Sequence, residues 1–259
     1  TSSADEYMSD ASPESDPNGP APDHFQVSSD LSSFYGEFYD GQSTWRELGA
    51  IGKVDNIQAL SGGVPHAEVI DIGAGEGSIL WHLSQRGFGE RYWALDISPS
   101  AIEALQGRGI EGLQDSQVFD GYHVPYEDQR FDLAILSHVV EHVEFPRKLL
   151  AEAARVAKYV VVEVPLEENQ RAPEDYRVTN IGHINFYSHR TIRKLLQSCG
   201  YEVLEQNFHQ PNYQALRHLK GWRALLQFVP KEIYLRLFRS WALNRYTYQT
   251  TLMCKSPQG

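Results

Sequence analysis

The segment Glu68-Val-Ile-Asp-Ile-Gly-Ala-Gly-Glu-Gly-Ser78 constrains this chain more than any other, because an apolar run breaks into Gly73-x-Gly75-x-Gly77. It reads as a buried strand, a tight glycine turn and the start of a helix. With no Cβ in the way, backbone N–H groups of such a turn can approach a bound molecule closely. The dinucleotide fingerprint runs G-x-G-x-x-G, whereas the third glycine here comes one residue early. A second strand, Arg91-Tyr-Trp-Ala-Leu-Asp96-Ile-Ser, ends in an acid 19 residues beyond Gly77. In a βαβ unit a carboxylate at that strand end accepts hydrogen bonds from a ribose diol. A glycine loop of another nucleotide-binding protein, such as a nicotinamide-dependent reductase, is the competing reading, disfavoured by the glycine spacing.

Alternation continues along the chain. Strand 68–72 is followed by helix 76–86, strand 91–96, helix 98–107, a weak strand near 115–119 and the strand Phe131-Asp-Leu-Ala-Ile-Leu-Ser137. Helix 145–157 opens with Pro146 and presents Leu149, Leu150, Ala153 and Val156; strand 159–164 stops at Pro165. After a polar loop over 166–187, Ser188 caps a helix ended by Gly200, and strand 201–208 follows. Residues 211–244 read as helical, and 245–254 alternate as a last strand. Upstream, Asp30 or Ser32 caps a helix carrying Phe34, Tyr35, Phe38 and Tyr39, and a second helix spans about 43–60. Strands alternating with helices predict an α/β fold, a doubly wound parallel sheet covered on both faces, with its ligand beyond the carboxyl ends of the strands.

A chain of 259 residues with 41% hydrophobic content buries one sizeable core, so 31–259 is read as a single domain. There is no run of eighteen apolar residues and no basic-then-apolar leader, and Cys199 and Cys254 have no metal spacing, so a reduced, cytoplasmic setting is expected. The net charge of −11 is uneven. Residues 1–30 carry seven acids and no Lys or Arg, and are read as a disordered acidic tail. From 211 onward eight bases face the single acid Glu232, a balance that suits an anionic substrate or a membrane surface, or simply a solvated basic face.

Together these segments carry a resemblance. With Asp71 two residues before Gly73, the glycine loop resembles motif I of the class I S-adenosylmethionine-dependent methyltransferases, and Asp96 falls where that family has its second acid. Asp120-Gly121-Tyr-His-Val-Pro-Tyr-Glu-Asp-Gln-Arg-Phe-Asp132 resembles the family's acid, Leu-Pro-Phe and Phe-Asp stretch, with Val124 and Tyr126 in place of Leu and Phe. Ser137-His-Val-Val-Glu-His-Val143 matches its His/Glu-rich turn. The matches cover about 68–164 and weaken toward 209; they lean to the ubiquinone- and menaquinone-methyltransferase-like branch acting on small molecules. The resemblance implies a Rossmann-like, seven-stranded sheet, mostly parallel, with 245–254 as a final antiparallel strand and 211–244 inserted before it. It also implies S-adenosyl-L-methionine as cofactor. Asp71, Gly73, Ala74, Gly75 and Gly77 would hold its aminoacid portion, Asp96 and Ile97 its ribose and adenine, and Asp120 and Gly121 its adenine amine. Ser137 and His138 would border it, and Tyr35 would cover the sulfonium; a stripe packing on the sheet is the alternative for Tyr35 and Tyr39.

A sulfonium methyl is already electrophilic, so in-line positioning of a nucleophile provides most of the acceleration. An oxygen nucleophile also needs its proton removed. His183, His138 and His142 are the candidate bases, with His183 favoured because Gly182-His183-Ile-Asn185-Phe-Tyr187 lies in the loop at the reactive edge. Tyr39, Asn185 and Tyr187 are the candidate acceptor contacts. No metal is expected; the alternative comes from ubiquinone-type O-methyltransferases with a Glu-x-x-Glu-His, and would place a divalent ion on Glu141 and His142. The 211–244 block is read as a lid or as an oligomer contact in a homodimer, and nucleic acid is not an expected partner. The function expected is methylation of a small molecule, sugar-derived or a secondary metabolite, at oxygen, against a cofactor-binding subunit without catalysis.

Overall fold

The computed structural model describes residues 43–170 and 182–257. Residues 1–42, where an acidic tail and a helix carrying Tyr35 and Tyr39 are expected, and residues 171–181 lie outside them. Helix α1 (Ser43–Ser61) leads into β1 (Glu68–Ile72), α2 (Ser78–Gln85), β2 (Arg91–Asp96), α3 (Pro99–Gln106), β3 (Leu113–Val118) and β4 (Phe131–Ser137). Then come α4 (Pro146–Val156), β5 (Ala157–Pro165), α5 (His189–Ser198) and β6 (Glu202–His209). Three helices, α6 (Tyr213–Lys220), α7 (Arg223–Leu237) and α8 (Arg239–Arg245), precede β7 (Gln249–Lys255).

The strands form one seven-stranded sheet in the order β3-β2-β1-β4-β5-β7-β6. The pairings from β3 through β5 are parallel, and β7 runs antiparallel to both β5 and β6. Strand order reverses between β1 and β4, and the crevice beyond their carboxyl ends is where such a sheet receives a ligand.

Successive residues of the inner strands serve opposite faces, and both faces are apolar. Val69, Leu133, Ile135, Val161 and Met253 pack with Val54, Ile57 and Leu60 of α1 and Leu80 and Leu83 of α2. Their alternates Ile70, Ala134, Leu136, Val160 and Val162 pack with Leu149, Leu150 and Ala153 of α4 and Ile192 and Leu196 of α5. By the same period of two, Asp71 and Glu163 fall on the α1 face, and both are buried. Ser188 forms a capping box with Thr191 at the start of α5.

Two boundaries differ from the sequence reading. The 211–244 block is three helices, because Gly221 takes φ +59° and Phe238 a non-helical φ of −135°. The last strand begins at Gln249 rather than 245, because the Tyr246 N–H donates to Ala242 O at 2.9 Å and carries α8 through Arg245.

Candidate active site

The glycine loop is built by packing. Gly73, Gly75 and Gly77 have φ of +85°, +55° and +79°. A Cβ on Gly73 would lie 2.4 Å from Val139 Cγ2, and one on Gly77 would lie 2.7 Å from Leu105 Cγ. Side chains are excluded there on both counts. Four amides of the loop have partners within the protein. Gly73 N and Ala74 N donate to Leu95 O (2.7 and 2.9 Å), Gly77 N to Ala74 O, and Gly75 N to Asp96 Oδ2 at 2.7 Å. The loop's donors hold the loop.

Asp96 is thus a brace as well as a rim residue. Its other oxygen accepts from Ser98 N at 2.9 Å. Burial raises its carboxyl above the usual range, opposed by those backbone donors. Asp71 sits below the loop, away from the cavity wall. Both its oxygens are buried and have no hydrogen-bond partner among the described residues. Burial pushes it up to about 7, with Lys53 pulling it down and Asp96 pushing it further up.

The crevice opens into a cavity of about 1060 Å³. Gly73, Ala74, Gly75, Asp96, Ile97, Gly121, Ser137, His138, His142 and His183 line it, so most of the expected site converges. Gly77 stands behind the loop against Leu105. Asp120 also falls short of the wall: its Oδ1 accepts from Tyr122 N and His123 N at 2.8 and 2.6 Å, and the turn presents Phe119 and Gly121 instead.

The three histidines take different places. His138 has φ +59°, a rare conformation for a non-glycine residue, and its backbone N–H donates to Glu163 O. Its Nδ1 lies 3.1 Å from Glu141 and its Nε2 3.3 Å from Glu163, both carboxylates fully buried. Burial and the Lys53 charge lower its proton affinity, but the two carboxylates win and hold it above the ordinary histidine value. Glu163, which burial would raise, is brought down to about 2 by His138, His209 and Lys53. The two carboxylates favour the imidazolium form of His138. His142 turns Nδ1 to Gly182 O at 3.0 Å and is held below the usual value by burial, Glu141 opposing. His183, packed edge-on against His142, turns Nδ1 to Glu167 Oε2 at 2.7 Å.

Two expected acceptor contacts are corrected. Asn185 donates to Val140 O and Val143 O, and the Tyr187 hydroxyl donates to Val140 O from within the core. Both pin the loop to the turn after β4, because that turn has carbonyls to satisfy; neither lines the cavity. Ligand atoms of Glu141, His142 and His183 lie within 4.8 Å of one another, the one such group among the described residues with a donor set suited to a metal ion.

Sequence reasoning missed Arg46, Glu76, Lys53, Glu163, Glu167 and His209. Arg46 pairs with Glu76 at 3.2 Å, and Arg108 joins Glu76 to Glu47, tying α1 to the glycine loop. His209 bonds Thr251 at 2.9 Å beside Glu163. One signal was present: a lone glutamate inside the Val160–Val164 run is a buried charge that needs a partner.

A profile of the methyltransferase domain matches residues 44–206, spanning the loop, Asp96 and the histidine turn. The chain belongs to the class I S-adenosylmethionine-dependent methyltransferases. This methyltransferase-family chain is 31% identical to norajmaline N-methyltransferase of Rauvolfia serpentina over 93 residues, 34% of this chain and 32% of that enzyme. It is 27% identical to trans-aconitate 2-methyltransferase of Mycolicibacterium gilvum over 160 residues, 61% and 55% of the two chains. The chain spans between 25% and 55% of the length of the curated relatives it matches. Its fold is similar to that of the [4+2]-cyclase SpnF (TM-score 0.60, 16% identity, 93% and 90% covered). It is also similar to Haemonchus contortus phospholethanolamine N-methyltransferase 2 in complex with phosphomonomethylethanolamine and S-adenosylhomocysteine (TM-score 0.61, 14%, 90% and 61%).

The site's residues fit the cofactor of this family. A roomy cavity with the Asp96 carboxylate at its rim, and the Asp71 carboxyl buried beneath the glycine loop with no hydrogen-bond partner among the described residues, suit a cationic nucleoside.

Proposed function

We propose that this methyltransferase-family chain transfers a methyl group to a hydroxyl oxygen of a small molecule. The observation that carries the reading is His183, held by Glu167 on the wall of the cavity rimmed by Gly73, Gly75 and Asp96. When bound, S-adenosyl-L-methionine supplies an electrophilic methyl group. Asp96 and Ile97 would face its nucleoside, and Asp71, through the loop, its positive end. Donation from Nδ1–H to Glu167 fixes the His183 tautomer, leaving Nε2 as the nitrogen that accepts. As the acceptor oxygen attacks, His183 Nε2 takes the hydroxyl proton and Glu167 steadies the resulting imidazolium. Lys53, Lys220 and Lys231 on the same wall support an anionic acceptor. Residues 31–259 are read as one domain, with α6–α8 as a wall of the acceptor pocket. Two free thiols, Cys254 buried, are consistent with a reduced cytoplasmic setting.

The test is transfer of labelled methyl from S-adenosyl-L-methionine to hydroxylated acceptors. His183→Ala should lower turnover by about 10²–10⁴-fold while leaving affinity for S-adenosylhomocysteine intact. Full turnover without the imidazole removes it as the base. A cofactor-binding protein without methyl transfer is the second reading, favoured by the likeness to a protein named a cyclase. S-adenosylhomocysteine binding with no labelled product from any acceptor decides for it.

A further inference from the structure

Helix α7 is apolar on two opposite faces. Its inner face sets Ala224, Phe228 and Leu235 toward the body of the protein, and the Gln210 side chain donates to Phe228 O. Its outer face carries Trp222, Leu225, Leu226, Val229, Ile233 and Leu237, at i, i+3, i+4, i+7, i+11 and i+15, all standing in solvent. Trp222 is 72% exposed and Leu237 69%. Phe238, between α7 and α8, and Trp241 on α8 extend the stripe. Among the described residues, nine of the twelve large apolar side chains that stand exposed lie within residues 219–241, which marks a binding face rather than scattered surface.

Charge decides what covers it. Of the eight bases from residue 211 onward, Arg223, Arg236, Arg239 and Arg245 belong to α7 and α8 beside this face, whereas Lys231 turns inward to Thr247 O and Lys255 ends β7; the one acid, Glu232, already pairs with Arg236. Arg223 stacks on Trp222 and Arg245 on Trp241, aliphatic stems along the apolar surface. A second copy meeting this face across a two-fold axis would set bases against bases. No helix among the described residues is long and apolar enough to cross a membrane, so this face can lie on a bilayer but not span it.

We propose that the outer face of α6–α8 binds an anionic lipid bilayer surface. Trp222, Leu226, Leu237, Phe238 and Trp241 enter the boundary between headgroups and acyl chains, and Arg223, Arg236 and Arg239 lie among the headgroups. The same helices wall the cavity through Leu216, Leu219, Phe228 and Lys231, so the bound face stands beside the pocket. This inference does not depend on methyl transfer.

The experiment is co-sedimentation of the full chain with vesicles of phosphatidylcholine alone or mixed with phosphatidylglycerol, at low and high salt. Binding is expected to the anionic vesicles only, weakened by salt, with a blue shift in tryptophan emission that Trp222→Phe diminishes. Arg223→Gln and Arg239→Gln should each weaken binding about five-fold. The double variant Leu226→Glu/Leu237→Glu should abolish it with its circular dichroism unchanged, both side chains being exposed. Failure to sediment with either vesicle overturns the proposal, as does binding that ignores phosphatidylglycerol and salt. A dimer in light scattering, split by Leu226→Glu/Leu237→Glu, assigns the face to a second copy and overturns it equally.

Discussion

Replacing Asp71 by Asn should make this protein more stable above neutral pH and worse at holding its cofactor. Asp71 is fully buried with no hydrogen bond to either oxygen among the described residues, and burial lifts its proton affinity from an ordinary 3.8 to about 7. For a raised acid, the folded chain holds a proton that the unfolded chain has released between those values. Stability therefore falls as pH rises from about 4 to about 7 and is flat above. The separation is roughly three decades of proton affinity, or about 4 kcal/mol at 1.36 kcal/mol each, an upper bound. The amide that replaces the carboxyl cannot ionise. Urea unfolding of wild type and Asp71→Asn at pH 4 and pH 8 should show near-equal stability at the lower pH. At the higher pH the variant should gain by as much as about 4 kcal/mol, on the order of 10 °C in Tm. In wild type alone, affinity for a cationic cofactor should rise as pH passes through about 7. A stability difference that does not change with pH would falsify the strain argument, and would mean that Lys53 neutralises the carboxylate in the folded protein.

Gly73→Ala places a Cβ 2.4 Å from Val139 Cγ2 at φ +85°. A loss of about 2–5 kcal/mol in chemical denaturation is expected, and a wild-type midpoint would contradict the packing described. Asp96→Ala removes the acceptor for Gly75 N and Ser98 N and a carboxylate at the rim. Calorimetric affinity for S-adenosylhomocysteine should drop by about 1.5–3 kcal/mol, and an unchanged value would separate Asp96 from the cofactor. EDTA should leave methyl transfer undiminished, since the donor needs no Lewis acid; loss of turnover restored by a divalent ion would place that ion on Glu141, His142 and His183.

The architecture was legible because it depends on local patterns. A strand apolar on both faces, a glycine turn and a helix, repeated, admit few arrangements other than a doubly wound sheet, and the rim residues follow from strand ends. That reasoning placed Asp96, Gly73 and Gly75 at the rim and His183 in the loop after β5, and all four line the cavity. The roles within the rim were not legible. Whether a loop amide points at a ligand or closes its own turn depends on Leu95 O and Asp96 arriving from β2, which no spacing reveals. Asn185 and Tyr187 read as acceptor contacts for the same reason, until the carbonyls after β4 claimed them.

What the sequence determined alone was periodicity: which residues alternate, where the chain must turn without a Cβ, and where charge accumulates. The tertiary structure decided the pairing of groups distant in the chain. It set Glu163 against His138, Glu167 against His183 and Lys53 near Asp71, and it left the outer stripe of α7 facing water. Burial and proximity are properties of three-dimensional neighbours, and proton affinity and exposed apolar surface follow from those neighbours.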